Sequence, residues 1–518
     1  MLTLLAFIFV IGILVFVHEF GHFLVAKKAG VEVEKFSLGF GPKIIGFKKG
    51  ETHYMISAIP LGGYVKMKGE NPDEPLTNDP KEFSSRGVGV RAAIISAGPI
   101  TNIIFAFIIM PLVYFIGIQV PAFLDKAPVA YWVAEESPAK AAGIQIGDRI
   151  LAINGAEIDD WEMFNLQNTL VSGASELKND KDVKIRIERD KQLKEKTIIF
   201  KKGNSYTGGI GVFHKMNAQI AGIVDGSPAR EAGLEPADII KEINDTTIVH
   251  WVQMSEIITT HPGEEITLTI ERDGSFLNYT ITPDPTIDSI VKSSSADEAG
   301  LQVGDILHSL NNEQISNWKN ELSGKGSFKD DELELKATRN GEQFTATVVL
   351  KENDVIGMTI AGKIGIMPLA ETVLKRYGVL GSVKEGFKRT VAVISLTLLV
   401  LKKLVTLNLS VKTLGGPIII AKMSGAAAKS GIAFLLVFTA FLSINLGVLN
   451  LLPIPILDGG HLFFLLIELI MRKPLGVKTM EMIQKVGFAL IILLFVTVTY
   501  NDIMRIIPLK YLEFLPWK

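Results

Sequence analysis

The sequence predicts a multi-pass α-helical membrane protein with a run of small α+β domains inserted between its membrane segments. Three observations carry that reading. The 518 residues are 48% hydrophobic with a mean hydropathy of +0.31, too apolar for an ordinary soluble enzyme, yet 21% are charged, too many for a chain that is membrane throughout. The apolar residues gather into a few long runs towards the two ends of the chain. Between those runs lies a polar stretch that repeats one pattern three times. A net charge of −2 and the lack of a basic block argue against a nucleic-acid partner. With no cysteine, disulfides and thiolate metal sites are excluded.

The first run, 1–26, lacks both a basic leader and a cleavage pattern, so it is expected to stay as a first transmembrane helix rather than leave as a signal peptide. Three more spans are expected at 92–118, 434–452 and 484–502, with Pro99 and Pro111 bending the second. The apolar core Val391–Leu401 is too short to cross and is followed by Lys402 and Lys403, so 383–408 reads as a helix lying at the interface. Lys27, Lys28, Lys35, Lys43, Lys48, Lys49, Arg86 and Arg91 flank the first connection (27–91), and Arg472, Lys473 and Lys478 the third. The positive-inside rule puts both connections in the cytoplasm and both termini with the long 119–430 region outside.

Inside the first span sits His18-Glu19-Phe20-Gly21-His22. Residues four apart lie one above the other on a helix, so His18 and His22 can offer ring nitrogens to one metal ion. Glu19 is then held beside that ion as a base for water. A carboxylate in a membrane segment costs several kcal/mol on insertion scales, which marks it as functional.

The outer repeat runs Ser137–Asn154, Ser227–Asn244 and, one residue shorter, Ser295–Asn311. Each copy reads as a short helix, a Gly turn and an apolar-alternating strand, followed by a hairpin-like tail at Glu188-Arg189-Asp190, Glu271-Arg272-Asp273 and Thr338-Arg339-Asn340. These units, expected at 128–205, 210–285 and 286–352, resemble PDZ domains. Such domains bind peptides by adding a strand to a sheet edge. Equally, they can fill space above the membrane and screen what approaches.

Late in the chain come Asn445, Asn450 and Pro453-Ile454-Pro455-Ile456-Leu457-Asp458-Gly459-Gly460-His461. Two His ligands need a third to leave one open position for water, and Asp458 can supply it, with His461 as the competing candidate. The two prolines interrupt the helix where a substrate could approach, or simply mark a loop leaving the membrane.

Together, the His-Glu motif in a first span, the Asn-to-His461 segment and the repeats between them resemble the site-2 protease family of intramembrane zinc metalloproteases. Gly39–Pro42, Pro60–Gly69 and Ser96–Asn102 match the same family. The resemblance implies an intramembrane zinc endopeptidase that cuts single-span membrane proteins, an anti-sigma factor and possibly remnant signal peptides among them. It implies one Zn2+ per chain on His18, His22 and Asp458, with Glu19 as base. Asn450 would help bind substrate or the developing oxyanion, and Asn445 would contact substrate. It also implies a monomer in the bacterial inner membrane, with the repeats and both termini periplasmic. The 53–70 stretch would be a cytoplasmic, membrane-associated β-hairpin whose strand Tyr64–Met67 offers an edge to substrate. The full expected fold is thus four transmembrane helices, inserted α+β PDZ-like domains and that hairpin. Family members of this kind usually carry two PDZ units, and this chain departs with three.

Two other classes fit less of the sequence. A membrane metal transporter has no need of Glu19 beside the ligands and usually shows repeated halves. A non-catalytic PDZ scaffold accounts for the outer region but leaves Glu19 unexplained.

Overall fold

The computed structural model describes residues 2–70, 79–172, 180–201, 209–291, 294–315, 318, 332–339, 341–350, 356–406, 414–473 and 476–506. They form two compact units, one of 1–119 with 374–507 and one of 120–373.

The first unit is helical. Its helices are α1 (Leu2–Lys28), α2 (Val88–Ile116), α3 (Val379–Val405), α4 (Pro417–Lys429), α5 (Ile432–Asn450), α6 (Asp458–Met471) and α7 (Val477–Ile506). Among the described residues four segments are long and apolar enough to span a bilayer: α1, α2, α5 and Thr479–Ile503 of α7. The second begins four residues earlier than the sequence suggests and runs unbroken through Pro99 and Pro111. Close packing explains how. A Cβ on Gly21 would collide with Ala97 O, and one on Gly447 would lie 2.8 Å from Pro99 O, so α1 and α5 press backbone to backbone on α2. Ser443 Oγ adds a hydrogen bond to Asn102 O at 2.8 Å. At the far end of α7, the fully buried Asp502 accepts from the amides of Gly416, Ile418 and Ile419, capping the N-terminus of α4. Helix α3, where an interfacial helix is expected, crosses α2 with Gly386 against Pro111.

Between α1 and α2 the chain forms strands β1 (Val33–Lys49) and β2 (Thr52–Met67), a longer hairpin than the 53–70 stretch foretold. It also folds back on itself. Lys35 is matched with both Lys66 and His53, Phe36 with both Val65 and Tyr54, and Ser37 with both Tyr64 and Met55. The 33–38 stretch is therefore central, and among the described residues Gly63–Met67 is strand-paired on one side alone.

The second unit holds three repeat units with separate cores. The first is a four-stranded sheet of Ala156–Glu157, Arg149–Ile153, Lys181–Arg189 and Gln192–Phe200, covered by helix Trp161–Ser172. It closes with Val212–Phe213 paired to Trp132–Val133, past the expected limit of 205. The second repeats this sheet with Thr246–Thr247, Ile239–Ile243, Ile266–Arg272 and Ser275–Ile281. Its closing strand corrects the expected 210–285 boundary: Ile220–Ile223 pairs with Ile366–Pro368, and Ile364 and Ile366 belong to its core. The whole third unit, from Asp284–Ile290 to Met358–Lys363, is thus inserted inside the second.

Each unit is pinned in the same way. A buried aspartate at the end of the Gly turn, Asp148, Asp238 or Asp305, takes two parallel bonds from the hairpin arginine, Arg189, Arg272 or Arg339, at 2.6–2.7 Å. The same arginine caps the carbonyl of Gly143, Gly233 or Gly300.

Candidate metal centre

The two histidines of α1 face α2 and the start of α6. His18 Nε2 and His22 Nε2 are 3.2 Å apart, two rings on one face of the helix converging on the same point. Asp458 reaches them from the opposite side, with Oδ2 3.2 Å from His18 Nε2 and Oδ1 3.6 Å from His22 Nε2. Among the described residues these three form the one group of His, Asp or Glu side chains whose ligand atoms all lie within 4.8 Å of one another.

The turn between α5 and α6 delivers the aspartate. Ile456 adopts φ +88°, a strained turn for a branched residue, and Asp458 becomes the first residue of α6. Gly459 and Gly460 lie hard against the carbonyls of Leu451, Leu452 and Ile454, where no Cβ would fit. The prolines and glycines of this segment therefore fold one compact turn that aims Asp458 at α1. His461, one turn further, stands edge-on to Phe464 and outside the cluster.

Glu19 lies beside the histidines and under the sheet. A Cβ on Gly63 would sit 3.2 Å from Glu19 Cγ, and the Val65 amide lies close enough to the Glu19 carboxylate to favour its charge. The one-sided edge 63–67 is thus brought to the proposed base. Asn450 is the half-buried last residue of α5. Asn445 accepts from Thr397 Oγ1 at 2.7 Å, tying α5 to α3.

Sequence reasoning gave no role to α2, yet α2 orients the rings. His22 Nδ1 is 2.9 Å from Ile94 O, and His18 Nδ1 is 3.2 Å from the Asn102 amide. Gly98 lies between them, where a Cβ would collide with His22 Nε2. The one available signal was the apolar Ser96–Asn102 stretch, in which a glycine and an amide sit four residues apart.

Two imidazole nitrogens and a carboxylate, each with its remaining ring nitrogen engaged, fit a three-ligand zinc site with one open position. The sequence profile of peptidase family M50 matches residues 6–494. The chain belongs to peptidase family M50. Its M50 relatives include the regulator of sigma-E protease RseP of Salmonella typhimurium, 32% identical over 528 residues and covering 97% of this chain and 99% of that one. RseP of Escherichia coli is 31% identical over 522 residues, covering 97% and 98%. A Vibrio cholerae relative carrying a zinc-metalloprotease name is 33% identical over 518 residues, covering 97% and 98%. As an M50 member, the chain is an intramembrane zinc metalloendopeptidase.

Proposed function

We propose that this protease cuts within the transmembrane segments of single-span inner-membrane proteins, an anti-sigma factor of the envelope stress response first among them. Remnant signal peptides are a second substrate class of the same chemistry. The observation that carries the reading is the convergence of His18, His22 and Asp458 on one point, with Glu19 beside them under an open strand edge. His18, His22 and Asp458 would hold one zinc ion per chain, and the chain acts as a monomer. The basic first and third connections face the cytoplasm; the repeat units and both termini face the periplasm. These repeats are read as PDZ-like.

Bound zinc would supply a more acidic water and polarise the scissile carbonyl. Glu19 takes the proton of the attacking water and returns it to the leaving amine. The Asn450 side chain donates to the oxygen on which charge develops. A helical substrate hides its carbonyls in its own hydrogen bonds, so it must unwind before attack. The edge Gly63–Met67 offers the unwound stretch replacement partners.

The test is cleavage of a tagged single-span substrate by wild type and Glu19→Gln. Cleavage should vanish in the variant while its zinc content stays at the wild-type level, because Glu19 is a base and not a ligand. Continued proteolysis by folded Glu19→Gln overturns the mechanism.

A further inference from the structure

Three successive turns on one face of α2 touch the two histidines. Ile94 O serves His22, Gly98 leaves the space that both rings enter, and Asn102 sets its amide against His18. Asn102 is fully buried, and its own carbonyl is tied to Ser443 of α5. Among the described residues its Oδ1 has no hydrogen-bond partner. A buried amide oxygen without a partner is costly and asks for an explanation.

We propose that Asn102 is the positioning residue for His18; this rests on His18 being a metal ligand. A ring that gives Nε2 to a metal carries its proton on Nδ1, so an acceptor belongs opposite Nδ1. Asn102 Nδ2 now faces Nδ1; a half-turn of the amide exchanges its two ends, so that Oδ1 accepts the Nδ1–H and Nδ2 takes the oxygen's former place. His22 is held by a backbone carbonyl that no side-chain change removes. Asn102 is the side-chain counterpart, fixing the tautomer and the angle of the other ring.

The full chain would be purified as wild type, Asn102→Ala, Asn102→Leu, Asn102→Asp, Ser443→Ala and His18→Ala. Zinc affinity by chelator competition, the visible spectrum of the Co2+-loaded protein, and kcat and KM are read for each. Asn102→Ala and Asn102→Leu should bind zinc about 10–100-fold more weakly. Their Co2+ bands should shift, and kcat should fall with KM nearly unchanged. Asn102→Asp, whose carboxylate accepts the same proton, should recover affinity to within a few-fold. Ser443→Ala should bind zinc like wild type. Wild-type affinity and spectrum in both Asn102→Ala and Asn102→Leu overturn the role, as does a Ser443→Ala loss equal to theirs, which would assign the effect to helix packing. If Asn102→Ala does not fold, the contrast between the Leu and Asp variants decides by the same readouts. Zinc retained by His18→Ala overturns the ligand reading itself; zinc lost there but kept in the Asn102 variants overturns the positioning role alone.

Discussion

Asp458 and His461 are three residues apart on one helix, and their surroundings separate them. Asp458 opens α6 with both oxygens directed at the histidines, while His461 packs on Phe464. Asp458→Asn should therefore lose zinc and end cleavage, and His461→Ala should keep the metal to within a few-fold. Metal content and chelator competition check both; loss in the second and retention in the first would exchange the ligands. The two histidines were legible in the sequence because helical geometry alone puts residues four apart on one face. Asp458 was not, since a ligand from a distant helix leaves no spacing signal, and there the family resemblance supplied the choice. Asn102 was invisible for a similar reason: an amide becomes a histidine partner only when two helices pack.

The hairpin shows what an element adds to a motif. The family resemblance implied its existence, and the strand-like Tyr64–Met67 fitted it, but its fold-back could not be read, because the 33–38 stretch lies between two strands only in three dimensions. The result is an edge whose Val65 amide reaches Glu19 instead of a strand. Val65→Pro removes that donor at an outward-facing edge position that tolerates proline. Losing a hydrogen bond to a charged group is worth about 1.5–3 kcal/mol, so cleavage should fall by about tenfold or more. Zinc binding should not change, and Val65→Ala, which keeps the amide, should cleave at the wild-type rate. A full-speed proline variant would remove the edge from the mechanism. Element limits were read more easily for the apolar spans than for the repeats, since a bilayer fixes the length of a span and nothing in the sequence fixes where a sheet closes.

At the scale of the whole chain, the repeat region has its own sensitivity to acid. Between the first two repeats, Phe123 stacks on His214 at 3.4 Å and Trp132 on His250 at 5.9 Å. His250 caps the helix Trp251–Thr259, accepting at Nδ1 from the Val252 amide and donating from Nε2 to His214 O. Burial and the neighbouring His250 push His214 down to about 4, and burial also lowers His250. The unfolded chain takes up these protons near the ordinary 6.5, the folded junction only below it. The junction is therefore fully stable above about 6.5 and weakens as pH falls towards 4. Amide protection around Trp132 and Trp251, taken relative to the intrinsic exchange rate at each pH, should fall between about pH 7 and pH 5, and His214→Gln, which keeps the backbone carbonyl but does not titrate, should flatten much of that change. Equal acid sensitivity in the variant would place its cause elsewhere.

The inserted third unit makes a second expectation at this scale. Asp284 and Lys363 are paired across its base, so removing 284–363 and closing the gap with a two- to four-residue turn leaves Ile364 and Ile366 in the second unit's core. Removing 286–352, the boundaries the repeats suggest in sequence, leaves behind Asp284 and Pro285 of one strand and the whole of its partner Met358–Lys363. The first deletion should resist limited proteolysis like the full chain; the second should be cut readily between 218 and 281.

The same insertion sets an order of events during synthesis. A chain emerges from its N-terminus, so the strand Ile220–Ile223 leaves the exit tunnel well before its partner Ile366–Pro368 exists. The inner domain, contiguous from Asp284 to Lys363, can mature at once, while its host waits with a sheet edge open. Any stall in synthesis between Ile281 and Ile364 prolongs that wait and makes this window the one in which a folding helper has most to offer.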